Sequence, residues 1–230
     1  MADFKYYRPD NFPPIVKNLI IINALVFVAQ LTLASKTFNL TEHIMLYPVQ
    51  HPEFRPYQIA THMFAHSPSM FFHILFNMFG LWMFGKILEN VWGPKRFLFF
   101  YLACGVGAAF LHMGVNYFAW ESMEAAYAAG DTIRAGEIAS GLGPALGASG
   151  AVMGIFAAFA FLFPNTELFI MFIPFPIKAK WAVLGLVALD LFGGVSSAGT
   201  GIAHFAHLGG AVTGFILVLI WNKTGRKRFY

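Results

Sequence analysis

The sequence predicts an all-α, polytopic membrane protein with six spans, and three observations carry that expectation. Hydrophobic residues make up 58% of the 230 residues and charged residues only 11%, less than half the roughly 25% usual in soluble domains. The mean hydropathy is +0.63. Six long apolar stretches recur along the chain, each near the ~20 residues that a helix needs to cross a ~30 Å hydrocarbon core.

The stretches run roughly over 18–35, 67–85, 97–117, 148–164, 180–198 and 201–221. The fourth is short, and the fifth carries one acid, Asp190. Connections among the last three are too small to fold alone, so the chain reads as one membrane domain over 1–230, with a core of about 18–221 and short terminal tails. Lys and Arg are distributed unevenly between the two sides. Twelve lie on the side of the termini: Lys5, Arg8, Lys17, Lys86, Lys95, Arg96, Lys178, Lys180, Lys223, Arg226, Lys227 and Arg228. Three, Lys36, Arg55 and Arg134, lie on the other. By the positive-inside rule both termini are expected in the cytoplasm, in the inner membrane of a bacterium. The N-terminus, Met1-Ala2-Asp3-Phe4, lacks the apolar run of a signal peptide, so the first stretch reads as a retained span.

The net charge of +4 is explained by basic residues facing anionic lipid and calls for no nucleic-acid partner. The single cysteine, Cys104, excludes an intrachain disulfide and a thiolate metal cluster, and reads as a small packed apolar residue. Two loops on the side opposite the termini are long. The first, about 36–66, is rich in aromatic and apolar residues, which suits a segment half-submerged at the interface. The second, about 118–147, has Ala-rich helical stretches and ends in Gly141-Leu142-Gly143-Pro144, feeding the chain back into the membrane.

Chemistry enters at Gly147-Ala148-Ser149-Gly150, where the second loop turns into the fourth stretch. Flanking glycines permit a sharp turn and a close neighbour. A serine here is either an ordinary helix cap or a nucleophile beside helix N–H groups that would receive an oxyanion. The elbow motif of α/β-hydrolases is absent, because Ala151 stands two residues after Ser149. A zinc protease is excluded by the lack of any H-E-x-x-H.

An ionisable side chain at membrane depth is a functional candidate by default. Five histidines qualify: His66, His73, His112, His204 and His207. His207 leads because it lies one turn before Gly210, which with Gly214 forms a small-residue face, while Gly150 and Gly154 form another below Ser149. If those faces meet, His207 comes level with Ser149. His204 lacks the following glycine and ranks second. His73 and Asn77, four apart, share one stripe of the second span and are either interhelical glue or oxyanion donors.

Taken together, His73-x-x-x-Asn77, Gly147-Ala148-Ser149-Gly150 and Ala206-His207-x-x-Gly210-x-x-x-Gly214, in that order on spans two, four and six, resemble the rhomboid family of intramembrane serine proteases. The resemblance implies a six-helix rhomboid-like bundle with a short central fourth helix and a first loop lying partly in the membrane. It implies a serine endopeptidase with a Ser149/His207 dyad, with His73 and Asn77 supporting the oxyanion beside the Ser149 amide. It implies no cofactor and no metal; the partners are transmembrane protein substrates and the bilayer, with small residues at the cleavage point. The site is expected to open toward the side away from the termini, with the first loop, the 193–201 loop and the end of the fifth span as candidate gates. Glu89 resembles a structural acid of the family. Where the family often carries Trp-Arg in the first loop, this chain has Phe54-Arg55. Asp190 is expected to serve local solvation or capping near Phe192-Gly193-Gly194 rather than to complete a triad, and one membrane aspartate cannot make an aspartyl pair. Two other classes stand beside the protease: a non-catalytic binder or chaperone of transmembrane helices, and a bis-histidine haem protein using His73, His112, His204 and His207. The sequence assigns no oligomeric state.

Overall fold

The computed structural model describes residues 9–35, 37–169, 174–195 and 203–224. Lys5, Arg8, Lys36, Arg226, Lys227 and Arg228 of the charge count, and most of the 193–201 loop, lie outside the described residues.

The chain is mostly helical. In order, the elements are α1 (Pro14–Thr32), α2 (Leu40–Ile44), α3 (Gln58–Thr61), a 3-10 turn (His62–Phe64), α4 (Phe71–Gly80), a π turn (Leu81–Gly85), α5 (Lys86–Trp92), α6 (Pro94–Ala128), α7 (Thr132–Gly141), α8 (Ser149–Leu162), the strands β1 (Glu167–Leu168) and β2 (Ile177–Lys178), α9 (Ala179–Val195) and α10 (His204–Thr224). The strands pair antiparallel, with Glu167 opposite Lys178.

Among the described residues, four helical segments are long and apolar enough to cross a membrane: Pro14–Thr32, Phe71–Trp92, Pro94–Ala128 and His204–Thr224. The fourth and fifth stretches yield shorter helices, α8 of 14 residues and α9 of 17. α8 starts only at Ser149 and stops before Pro164, whose ring and missing N–H cannot extend a helix. The second segment runs seven residues past the expected end at Gly85, because Lys86 and Glu89 mark the edge of the hydrocarbon without breaking the helix. Glu89 is buried there and caps another helix. Its two carboxylate oxygens accept the backbone N–H groups of Ile15 and Val16 at 2.9 and 2.8 Å, at the start of α1.

α6 is far longer than the apolar stretch that predicts it, at 35 residues. At 1.5 Å per residue it reaches ~50 Å, about 20 Å more than the hydrocarbon core. It folds back through Gly130, whose φ of +78° suits glycine, into α7.

α8 is the hub. Only Ser149, Phe156 and Phe161 of its residues are not buried, and α10 packs most extensively against α8 and α6. Glycine makes this approach possible. A Cβ on Gly210 would run into the Gly150 carbonyl oxygen, and one on Gly214 would stand 2.6 Å from the Gly154 oxygen. Behind α8 the core is filled by Leu81, Phe84, Phe97, Phe100 and Tyr101 with Val16 and Leu19.

Candidate active site

Ser149 is the first residue of α8, and the cap position before it is Ala148, which has no side chain capable of capping. Gly147, with φ of +126°, makes the turn that delivers the serine. The strand-like segment leading into that turn is clamped by the first loop. Leu46 and Ala145 exchange backbone hydrogen bonds at 2.8 Å, and Gly147 donates its N–H to the His62 carbonyl at 2.9 Å.

The first loop is itself tied inward by buried Gln58. Its amide nitrogen donates to the carbonyls of His43 and Glu53, and its oxygen accepts from the Arg55 N–H. Arg55 turns its guanidinium onto the Pro52 and Phe54 carbonyls at 2.8 Å. His62 is buried, and desolvation pushes its imidazole from the ordinary 6.5 down to about 4. It holds the neutral form, with Nδ1 3.0 Å from the Gln58 carbonyl.

From the other side of the molecule, α10 brings His207 to the serine. His207 Nε2 is 2.8 Å from Ser149 Oγ, a hydrogen bond in which the hydroxyl can donate. The serine therefore engages the imidazole, not the N–H groups of its own helix.

His73 and Asn77 reach the same place by different degrees. A Cβ built on Gly147 would lie 2.7 Å from His73 Nε2 and 3.4 Å from Ser149 Oγ, so the His73 ring tip and the serine share the space above Gly147. His73 Nδ1 accepts the Ser67 N–H at 3.3 Å, which leaves Nε2 as the protonated, donating nitrogen. Asn77 is buried, and its amide donates to the His73 carbonyl at 2.8 Å, so it braces the turn that carries His73. Gly150, Gly154, Gly210 and Gly214 form the contact that lets α8 and α10 come this close.

Three polar groups support the site that sequence spacing did not assign to it. His66 is fully buried, with Nε2 2.9 Å from Asn23 Oδ1 on α1 and its ring 5.3 Å from that of His73. His112 on α6 holds the segment ahead of Ser149, with Nε2 3.1 Å from the Gly143 carbonyl and 2.9 Å from the Asn116 amide. Asp190 differs most from expectation. Its Oδ1 accepts from His207 Nδ1 and from His204 Nδ1, each at 2.9 Å. The signal was present as Asp190-x-x-Gly193 and His204-x-x-His207, two pairs with the same helical spacing on neighbouring helices.

The His207 side chain is 20% exposed. Among the described residues no group of three or more His, Cys, Asp or Glu is arranged to hold a metal ion.

The profile of the Rhomboid domain family matches residues 53–223. The chain is 34% identical over 159 residues to the presenilin-associated rhomboid-like protein, mitochondrial, of Homo sapiens, covering 66% of this chain and 36% of that protein. It is 29% identical over 164 residues to Rhomboid protein 1, mitochondrial, of Saccharomyces cerevisiae, covering 71% and 42%. It is 28% identical over 218 residues to RHOMBOID-like protein 12, mitochondrial, of Arabidopsis thaliana, covering 94% and 60%. The matches thus span between 36% and 60% of these relatives' lengths.

All three relatives are named as mitochondrial, which overturns the expectation of a bacterial inner membrane with cytoplasmic termini. The physical reason is that loop charge reports which ends share a side and cannot tell one membrane from another. The apolar helices support the integral-membrane part of that expectation. The profile covers most of the chain, and by that match the protein belongs to the rhomboid family.

Proposed function

We propose that the protein is an intramembrane serine endopeptidase that cleaves transmembrane segments of other proteins through a Ser149/His207 dyad. The observation that carries the reading is the 2.8 Å contact between His207 Nε2 and Ser149 Oγ, on helices held together by glycine contacts. His207 takes the serine proton as Oγ attacks the scissile carbonyl carbon, then passes it to the leaving amine. The oxyanion rests on the Ser149 N–H at the positive end of α8, with His73 and Asn77 as further donors. A water then attacks the acyl-enzyme with His207 as base. A regular helix hides its carbonyls in its own hydrogen bonds, so the substrate segment unwinds locally before attack.

The bundle in this reading is a single domain over 1–230 with six membrane helices, the central one being the short α8, and its membrane is a mitochondrial one, following the relatives' names. The site opens on the face opposite the Lys/Arg-rich ends.

Labelling of the purified protein by a fluorophosphonate probe tests the reading without a known substrate. Wild type is expected to label, and Ser149→Ala and His207→Ala to lose labelling. A folded wild type that does not label removes the protease reading in favour of a non-catalytic binder of transmembrane helices.

A further inference from the structure

We infer that Asp190 is a positioning residue of the site: its carboxylate fixes the tautomer and ring orientation of His207, and the second imidazole, His204, holds that carboxylate in place. The inference rests on the serine-protease reading and adds a third and fourth member to its dyad.

The geometry is specific. One oxygen of Asp190 lies 2.9 Å from His207 Nδ1 and 2.9 Å from His204 Nδ1. An ionised carboxylate only accepts, so both imidazoles present Nδ1–H to it. In neutral His207 this tautomer puts the free lone pair on Nε2, which is the atom 2.8 Å from Ser149 Oγ. With the proton on Nε2 instead, an N–H would face the hydroxyl and the ring could not take its proton.

The surroundings are built for two imidazoles on one acid. Asp190 and Gly193 are three apart on α9, and His204 and His207 are three apart on α10, so each pair shares a helix face. A Cβ on Gly193 would stand 2.5 Å from both Cε1 and Nε2 of His204, so a side chain there would displace the second ring. The three side chains are 12–20% exposed, which strengthens hydrogen bonds to a charge. The titratable side chains facing His207 are Asp190 on α9, His204 on its own helix and His73 on α4.

The proton balance is simple. As the Oγ–C bond forms, the Oγ proton moves to Nε2; His207 becomes an imidazolium hydrogen-bonded to Asp190, and the proton leaves on the departing amine nitrogen as the C–N bond breaks. Asp190 stays ionised throughout.

The test uses the full chain in detergent and in liposomes, reading fluorophosphonate labelling rates and cleavage of a transmembrane reporter between about pH 5 and 9. Asp190→Asn is expected to slow both by ~10²-fold or more, through kcat and not KM, because the amide can donate to Nδ1 and impose the wrong tautomer. Asp190→Glu should restore part of the rate, and His204→Ala should lose less than ~10-fold. Independently of turnover, a ¹⁵N-histidine NMR spectrum of wild type should show His207 protonated at Nδ1 in a low-field hydrogen bond that Asp190→Asn abolishes. A folded Asp190→Asn protein that labels at the wild-type rate overturns the inference and leaves the protease reading standing. If wild type does not label, the protease reading fails, while a His207 proton found on Nε2 in the NMR spectrum overturns the positioning role on its own.

Discussion

Ser149, half-buried between buried Ala148 and buried Gly150, shares the space above Gly147 with the ring tip of His73. Around it, donors differ in how committed they are. His73 directs Nε2 into that space, while Asn77 spends at least one amide hydrogen on the His73 carbonyl. Asn77→Ala is therefore expected to lower kcat by up to ~10²-fold with the fold intact; reporter cleavage at the wild-type rate would confine Asn77 to bracing its helix. A second outcome at this scale concerns pH. His62 has a folded value near 4 against an ordinary 6.5, so the unfolded chain binds more protons between those values. Stability is full above about 6.5 and declines as pH falls toward 4. Thermal unfolding in detergent should show that decline, and His62→Gln should reduce its slope; an unaltered slope would remove His62 as a contributor.

At the scale of elements, two glycines in spanning helices make opposite predictions. Gly210→Ala pushes a methyl into the Gly150 carbonyl and should separate α10 from α8, costing ~3 kcal/mol and abolishing probe labelling. Gly114→Ala on α6 meets nothing within 4 Å and should be neutral or stabilising by up to ~1 kcal/mol. Equal unfolding temperatures for the two variants would contradict the packing described here. Glu89→Gln, which weakens the cap on α1, should lower stability by ~1–2 kcal/mol without changing the labelling rate relative to folded protein. The serine, His207 and the glycine faces were legible because motif spacing on α8 and α10 survives any rotation of the other helices. Asp190 was legible only in part: the matching spacings Asp190-x-x-Gly193 and His204-x-x-His207 stand in the sequence, but whether those faces meet depends on how α9 is turned against α10. The length of α6 was hidden for another reason. Charge marks where hydrocarbon ends, whereas a helix ends at a breaker, and the first effective one after Pro94 is Gly130.

For the molecule as a whole, the distribution of basic residues and the helix directions make one claim together. The tip of the α6–α7 hairpin and the end of α10 are expected on opposite faces of the membrane. In sealed liposomes of uniform orientation, Ile133→Cys and Lys223→Cys, both at exposed positions, should react with an impermeant thiol reagent from opposite sides, and buried Cys104 should stay silent. Labelling of both from one side would refute the arrangement. Six apolar stretches were readable from composition, but the point where α8 stops, at Leu162, was not. Packing permits this: a helix clad in protein on nearly every face, as α8 is, has no need to match the thickness of lipid.

The unbroken run of α6 out of the membrane has a practical side. Gly130 sits at a tight turn with open space around its α-carbon, joined by a continuous helix to residues that pack directly on α8 and α10. A folded module spliced into that turn through two helical junctions would be carried as a fixed handle for imaging. Its orientation would report the tilt of the helix that packs against α8 and α10.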